Sequence, residues 1–340
     1  MLVLNPVKPF YLDKNNKILR MGNFKETGKE INYEEESFLS LINNLKEPID
    51  ENDLVQIVIE ETNLDESEIK GAIKYLKKEN IVIQSEKFDK LLMTDYSRQD
   101  LFFSLFNSNF KSNKKDFTNK KILVLGLGGV GANVALMLSR AGFDNFILVD
   151  NDIVEKSNLI RQYPYTEKDI GRSKCETLAN ILTGEIDTKN IMISRKQDII
   201  DEIKKSDFVL CTLDKPFRVI RRLINDLCIK ENKPVIFAGF AEHVAMVGPF
   251  VVPHKSACLK CIDENMTEVP LKNVKVVPSY GPLCALISSI VTNEIVKYFN
   301  KYVEYNLVGK TLMFNFATYE IQVLNWEKKK TCEVCKDDSK

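Results

Sequence analysis

Between Lys120 and Arg161 the chain reads KKILVLGLGGVGANVALMLSRAGFDNFILVDNDIVEKSNLIR. Gly126, Gly128 and Gly131 stand at G-x-G-x-x-G spacing, with an extra glycine at Gly129. Glycines so placed let the backbone turn tightly and approach phosphates. A helix starting there adds free N–H groups and a positive dipole. Asp150 follows about 20 residues later, where an acid can accept hydrogen bonds from ribose hydroxyls. These residue types in this order point to nucleotide binding. A ligand-free structural turn is the other reading.

The next residues bear on which nucleotide chemistry is meant. Asp152, Asn158, Arg161 and Gln162 come just past a second strand end, where ligands sit in open α/β sheets. Lys174, in GRSKCETLANIL, adds a second cation at the start of another helix. Hydride transfer needs no such cluster of cations and amides. Splitting a triphosphate does, because charge must be stabilised on the transferring phosphorus and on the leaving pyrophosphate. Asp214 follows a third apolar run, and a carboxylate there faces the ligand crevice, so it is the candidate Mg²⁺ ligand. Cys258-x-x-Cys261 and Cys332-x-x-Cys335 are two hooks able to close one tetrahedral thiolate site. Cys175, Cys211, Cys228 and Cys284 stand in apolar or helical contexts and read as core. Neither His243 nor His254 has a nucleophile close in sequence, which argues against a hydrolytic triad.

Positioning these groups requires a parallel sheet. Ile122–Leu125 and Phe146–Val149 are short apolar runs that read as buried parallel strands. Ala135, Leu138 and Ala141 mark a helix between them. Further strands are expected at Ile191–Ser194, Phe208–Leu210, Pro234–Ala238 and Phe250–Val252, with Arg218, Arg221 and Arg222 on a solvated helix face. The fold class is therefore α/β, a Rossmann-like doubly wound domain over 120–340. Residues 1–88 read as a small α+β unit. Phe10–Met21 carries strand–turn–strand, and helices are expected near Tyr33–Leu45, Glu51–Glu61 and Asp65–Glu79. The third opens on an Asp65-x-x-Glu68 capping box, and a strand at Ile81–Ile83 closes the unit. Helices then a strand suggest a winged-helix module. Residues 89–119 are expected to link the two, with a loop over Asn107–Phe117.

The 340 residues allow two domains. Lys plus Arg equals Asp plus Glu, 48 each, so net charge is zero. That removes the broad electrostatic case for nucleic acid or an anionic membrane as partner. No apolar run approaches the ~18 residues of a membrane span. The N-terminus, MLVLNPVKPFYLDKNNK, has no charged region before an apolar core. The cytoplasm is the expected location, and the cysteines there are expected as thiols or metal ligands.

GLGGVG, VDNDIVEKSNLIRQ, DIGRSK and TLDKPF, in that order, resemble the ThiF/MoeB/HesA superfamily of ubiquitin-activating-type adenylyltransferases. The resemblance runs roughly from Tyr96 to Cys335. The stretch TLDKPFRVIRRLINDLCIKENKPVIFAGFAEHVAMVGPFVVPHKSACLKC is similar in order and spacing to the microcin C peptide-nucleotidyltransferase branch. The resemblance implies that a peptide carboxylate attacks the α-phosphorus of a nucleoside triphosphate. It implies a structural zinc on Cys258, Cys261, Cys332 and Cys335. It implies a homodimer in which Arg98, in a Y-x-R-Q segment at Tyr96, reaches the partner's triphosphate; a surface arginine is the other reading. It implies that residues 1–88 clamp a short ribosomal peptide by β-addition, where an inert or dimer-building module is the alternative.

The expected function is Mg-dependent nucleotidyl transfer to the C-terminus of such a peptide. Arg161, Lys174 and Arg98 would neutralise phosphates, Asp214 would hold the metal and Asp150 the ribose. In that branch the product is a P–N linked peptide-nucleotide, made through a succinimide with a second triphosphate. ATP and CTP both remain open. The loop near Ile262–Tyr280 has no cysteine for a thioester, and its charges, with Pro270 and Pro278, suit a substrate-binding flap. The rivals are an adenylyltransferase for a ubiquitin-like sulfur carrier, a peptide-binding pseudoenzyme and a nicotinamide dehydrogenase.

Overall fold

The computed structural model describes residues 1–23, 28–33, 37–106, 115–214, 217–262, 278–305 and 307–336. The expected flap thus lies outside the described residues over 263–277, as do Pro216 and residues 107–114 of the expected loop. The chain divides into two compact units, Met1–Ser112 and Asn113–Lys340.

The first unit runs β1 (Leu2–Leu4), β2 (Phe10–Asp13), β3 (Ile18–Met21), β4 (Lys29–Asn32), α1 (Ser37–Asn44), α2 (Glu51–Glu61), α3 (Glu66–Lys78), β5 (Val82–Gln84), α4 (Ser85–Leu92) and α5 (Ser97–Ser104). Local chemistry sets the boundaries. The Asp13 carboxylate accepts from the Asn15 and Asn16 amides, turning β2 into β3. Asp50 caps α2. Asp65 and Glu68 form the capping box of α3, and Ile69, Ile73 and Leu76 then face inward at helical spacing. They meet Leu41, Leu45, Leu54 and Val58 in one core. β1 and β5 pair antiparallel, and β2-β3-β4 form a second sheet that ends on β4. The segment expected as linker carries α4 and α5.

The second unit runs α6 (Lys115–Thr118), β6 (Lys121–Leu125), α7 (Gly131–Ala141), β7 (Asn145–Val149), α8 (Lys174–Ala179), β8 (Glu185–Lys189), α9 (Ile200–Lys205), β9 (Phe208–Cys211), α10 (Phe217–Lys230), β10 (Val235–Ala241), β11 (Val244–Val251), α11 (Leu259–Ile262), α12 (Gly281–Asn300), β12 (Lys310–Asn315) and β13 (Ile321–Asn325). Its described strands make one sheet, ordered β13-β12-β11-β10-β9-β6-β7-β8. β10 to β8 are parallel and β11 to β13 antiparallel.

Alternation along the strands explains the two covered faces. Leu123, Leu125, Ile147, Val149, Val209 and Phe237 pack with Ile199, Ile203 and Ile224 of the α9–α10 side. Phe208 and Phe250, on the other face, meet Tyr298 of α12 edge-on. β6 therefore sits between a neighbour reached through α7 and one reached through α9. That is the switch point at which such sheets open a crevice.

One strand differs from expectation. Ile191–Ser194 forms no strand; β8 is the polar Glu185–Lys189, paired in parallel with β7. As the outermost strand it needs no apolar run, while Ile193 reaches the core from the following loop. No helix among the described residues is long and apolar enough to cross a membrane.

Candidate functional site

The glycine turn leaves β6 at Gly126, whose φ of +90° is strained for any side chain. A Cβ on Gly131 would lie 1.9 Å from the Gly126 carbonyl oxygen, so the strand-to-helix turn closes only around glycine. A Cβ on Gly129 would meet the Cys284 sulfur at 2.8 Å, whereas one on Gly128 would meet nothing within 4 Å. Gly128 thus leaves its backbone open towards the crevice.

Asp150, directly after β7, accepts from the Leu127 amide at 2.5 Å and from the Asp152 amide at 2.8 Å. One carboxylate oxygen anchors the glycine turn and the other the next loop. Each keeps a lone pair for a ligand hydroxyl. Tyr165, buried, donates its hydroxyl to the Leu127 carbonyl at 3.2 Å. Burial, then the Asp150 charge, push this phenol well up, so it stays a donor.

The loop after β7 gathers the cations. Asn158 is buried, accepts from the Glu155 amide, and its carbonyl takes the Arg161 and Gln162 amides at 3.0 and 2.9 Å. Arg161, half-buried, donates to the Ser157 carbonyl at 2.6 Å. Gln162 is 2% exposed, and its Oε1 has no hydrogen-bond partner. Lys174 opens α8 with a buried ammonium, 2.9 Å from Asp152, whose own side chain is 61% exposed. Asp152 therefore stands between the Lys174 charge and solvent.

Asp214 comes three residues after β9 and is exposed. Its neighbour Thr212 donates to the Leu125 or Gly126 carbonyl, at 3.1 and 2.9 Å, tying the β9 end to the glycine turn. Gly126, Asp150, Asp152, Arg161, Lys174 and Asp214 thus all follow the carboxyl ends of β6, β7 and β9 or open the helix beyond. Arg98, on α5 of the first unit, is exposed.

Sequence reasoning missed three side chains. Asn133 on α7 donates to the Gly129 carbonyl at 2.6 Å and the Arg161 carbonyl at 3.1 Å, and accepts from the Tyr163 amide. A buried asparagine inside a helix, a poor helix former, was the available signal. Tyr165 offered none. Arg221, expected on a solvated face, is buried. It donates to the Leu213 and Ala238 carbonyls at 3.1 and 2.8 Å and lies near the Phe237 ring. A side chain long enough to reach two buried backbone carbonyls cannot be told from a solvated one by spacing.

The four hook cysteines converge. All are buried, with sulfurs within 4.8 Å of one another. Cys258 and Cys332 are 3.7 Å apart, Cys261 and Cys335 3.3 Å. Tetrahedral zinc–thiolate bonds of ~2.3 Å set sulfurs about 3.8 Å apart, so the donor set fits zinc and leaves no open position. Asn225 accepts the Leu259 amide at 2.9 Å beside the first hook, and the Lys329 amide points at the Cys261 sulfur. Cys175, Cys211, Cys228 and Cys284 are buried in the core, as expected. Burial pushes Cys175 and Cys284 up to about 11.

The model of the ThiF family matches residues 96–334. The sulfur carrier protein ThiS adenylyltransferase of Escherichia coli is 27% identical over 248 residues, 71% of this chain and 94% of its own length. The adenylyltransferase and sulfurtransferase MOCS3 of Dictyostelium discoideum is 27% identical over 66% of this chain, which spans only 54% of that protein. Among solved structures, E. coli MccB with AMPCPP and selenomethionine MccA superposes with a TM-score of 0.82. It covers 98% of this chain and 99% of its own at 22% identity, a likeness of fold.

Proposed function

The chain belongs to the ThiF family, and from that premise we propose that it is a nucleotidyltransferase activating the C-terminal carboxylate of a short ribosomal peptide. One observation carries the proposal. The glycine turn, two cationic side chains and an exposed carboxylate follow the carboxyl ends of three adjacent strands. That set suits a triphosphate whose pyrophosphate must leave. The peptide carboxylate attacks the α-phosphorus, the P–O bond to pyrophosphate breaks, and the charge goes to that leaving group. No protein nucleophile takes part; positioning and charge stabilisation supply the rate.

In this proposal Asp150 takes the ribose hydroxyls, and Asn158 and Gln162 face the nucleotide. Arg161 and Lys174 meet the phosphates, and Asp214 holds Mg²⁺. Arg98 acts from the partner in a homodimer. Zinc on the four thiols fixes the C-terminal tail. The nucleotide is ATP or CTP.

The acceptor assignment draws on the first unit. β4 ends its three-stranded sheet, offering an edge for a peptide strand. Beside it lies a cleft of about 320 Å³ lined by Asn32, Tyr33, Phe38, Leu41, Leu64 and Ala72. An extended peptide would pair with the edge and seat alternate side chains there. The full-length superposition on MccB, solved with MccA, supports the same assignment.

A second reading, adenylylation of a ubiquitin-like sulfur carrier, is favoured by the ThiS adenylyltransferase match, which covers 71% of the chain. Exchange of radiolabelled pyrophosphate into ATP or CTP separates the two. Short peptides should drive exchange and a sulfur-carrier protein should not. Exchange with the carrier alone would replace the proposal by the second reading.

A further inference from the structure

Beyond the crevice, the same sheet edge carries an aromatic wall. The Phe316 ring lies 5.8 Å from Tyr280, 6.1 Å from Phe314 and 6.4 Å from Tyr319. Tyr280 is 57% and Tyr319 72% exposed. Tyr319 also adopts φ 63°, a left-handed conformation that bulky residues rarely take. Its turn is held by Asn315, whose carbonyl takes the Tyr319 amide at 2.8 Å and whose side chain takes the Ala317 amide at 3.0 Å. The chain thus fixes an exposed ring in a turn that glycine or asparagine would fill more easily, a pattern that attends function.

Register places the wall. Phe237 pairs with Cys211 at the end of β9, and β10 continues past it to Ala241. Val244 opposite pairs with Asn315, and Phe314 with Ala245 and Ile321. The two hairpins therefore rise about four residues, roughly 13 Å, above the β9 end. Tyr280 joins this wall to the crevice. The next residue, Gly281, packs so closely on the Arg161 loop that a Cβ there would lie 2.4 Å from the Ile160 carbonyl oxygen and 2.7 Å from the Tyr163 hydroxyl.

Strand order says which substrate the wall can meet. Asp150 follows β7, on the far side of β6, whereas the wall stands on β12. At about 4.8 Å per strand they are separated by roughly 24 Å, too far for a base attached to a ribose at Asp150. From β9 to β12 is three strands, about 14 Å across, and the ~13 Å rise of the wall brings the separation from the Asp214 region to at most about 19 Å, the span of about four to six extended residues.

Building on the peptide-acceptor proposal, we infer that Tyr280, Phe314, Phe316 and Tyr319 form a specificity subsite for an apolar or aromatic side chain of the acceptor. That side chain stands about four to six residues before the reacting carboxylate. The rings offer apolar faces and no charge, so they select by shape and burial rather than by ion pairing.

The test uses the full chain and short synthetic alanine–glycine peptides with a free C-terminal carboxylate, each with one phenylalanine walked inward from the C-terminus. Pyrophosphate release is measured at saturating triphosphate. A phenylalanine about four to six residues from the end should lower the apparent KM about tenfold against the phenylalanine-free peptide, the discrimination an apolar pocket achieves. Phe316→Ala and Tyr319→Ala should each abolish that advantage and leave the phenylalanine-free peptide unchanged. Release without position dependence, or an advantage surviving in both variants, overturns the subsite alone. Loss of dimer in sedimentation with unchanged selectivity assigns the wall to a second copy and overturns it too. Release with no peptide removes the acceptor proposal, and the subsite with it.

Discussion

Asn133 holds Arg161 against the glycine turn, its amide nitrogen 2.6 Å from the Gly129 carbonyl oxygen and 3.1 Å from that of Arg161. Its carbonyl oxygen takes the Tyr163 amide at 3.1 Å, and the residue is 2% exposed. One helical side chain thus sets the distance between the backbone that would receive the phosphates and the loop bearing a cation. Asn133→Ala leaves two carbonyls and one amide without this partner, at a cost of about 1–3 kcal/mol each at most if they stay dry. Denaturant unfolding should show a loss of that order. The folded variant should also bind triphosphate more weakly, read by equilibrium titration. Unchanged affinity in a destabilised variant would leave Asn133 a purely structural residue.

The sequence was most legible where local rules and global fold agree. The Asp65–Glu68 capping box, the glycine turn and the buried strands β6, β7 and β9 all declared themselves, because each rests on spacing along the chain. β8 did not, because an outermost strand has too little burial to enforce an apolar pattern. Arg221 and Tyr165 act through contacts with Leu213, Ala238 and Leu127, which no periodicity encodes. The two cysteine hooks, 74 residues apart from Cys258 to Cys332, were legible as one candidate site from their ligand chemistry, and the structure brings all four sulfurs together.

The Lys174–Asp152 pair predicts a nucleotide-dependent stability. The ammonium side chain is 5% exposed and its partner 61%. Asp152→Asn leaves a cation with little solvent and no neutralising carboxylate. Breaking a fully buried pair costs about 3–5 kcal/mol; water on the Asp152 side should reduce this to about 1–2. If triphosphate oxygens occupy that place in the complex, nucleotide should raise the melting temperature of Asp152→Asn more than that of the natural chain. Equal shifts would mean that Lys174 does not meet the phosphates.

The thiolate cluster predicts a metal that stabilises without reacting. Purified protein should carry about one zinc per chain, as a closed four-thiolate site implies. The four cysteines belong with Ala257 to one hydrophobic cluster, against which Leu259, Trp326 and Val334 pack, so losing the metal should loosen the tail and this part of the core. Cys332→Ser, or prolonged chelation, should lower the melting temperature sharply while the folded fraction keeps most of its turnover. Elemental analysis together with a thermal scan reads both. Metal-free protein of undiminished stability would rule out the structural ion.

Asp214 gives the sharpest test of nucleotidyl transfer. The residue is exposed three positions beyond β9, so Asp214→Asn changes charge without disturbing packing, and unfolding curves should shift little. The nearby buried Arg221 is held by the Leu213 and Ala238 carbonyls, and the Asp214 charge also favours its guanidinium, so a small loss of stability is expected and turnover is compared on folded protein. On the proposed mechanism the variant would lose an anionic ligand for Mg²⁺ while negative charge still builds on the leaving pyrophosphate. A displaced electrostatic contact of that kind costs about 3 kcal/mol, roughly a hundredfold in rate. The deficit should persist at saturating Mg²⁺ and nucleotide, and peptide binding should hardly change. Arg161→Ala should behave alike. Arg98→Ala should too, and if Arg98 serves the neighbouring subunit, mixing it with Asp214→Asn should restore activity. In mixed dimers one of the two sites then keeps both residues. Near-normal turnover for Asp214→Asn would remove the residue from the site and with it the metal's place in the mechanism.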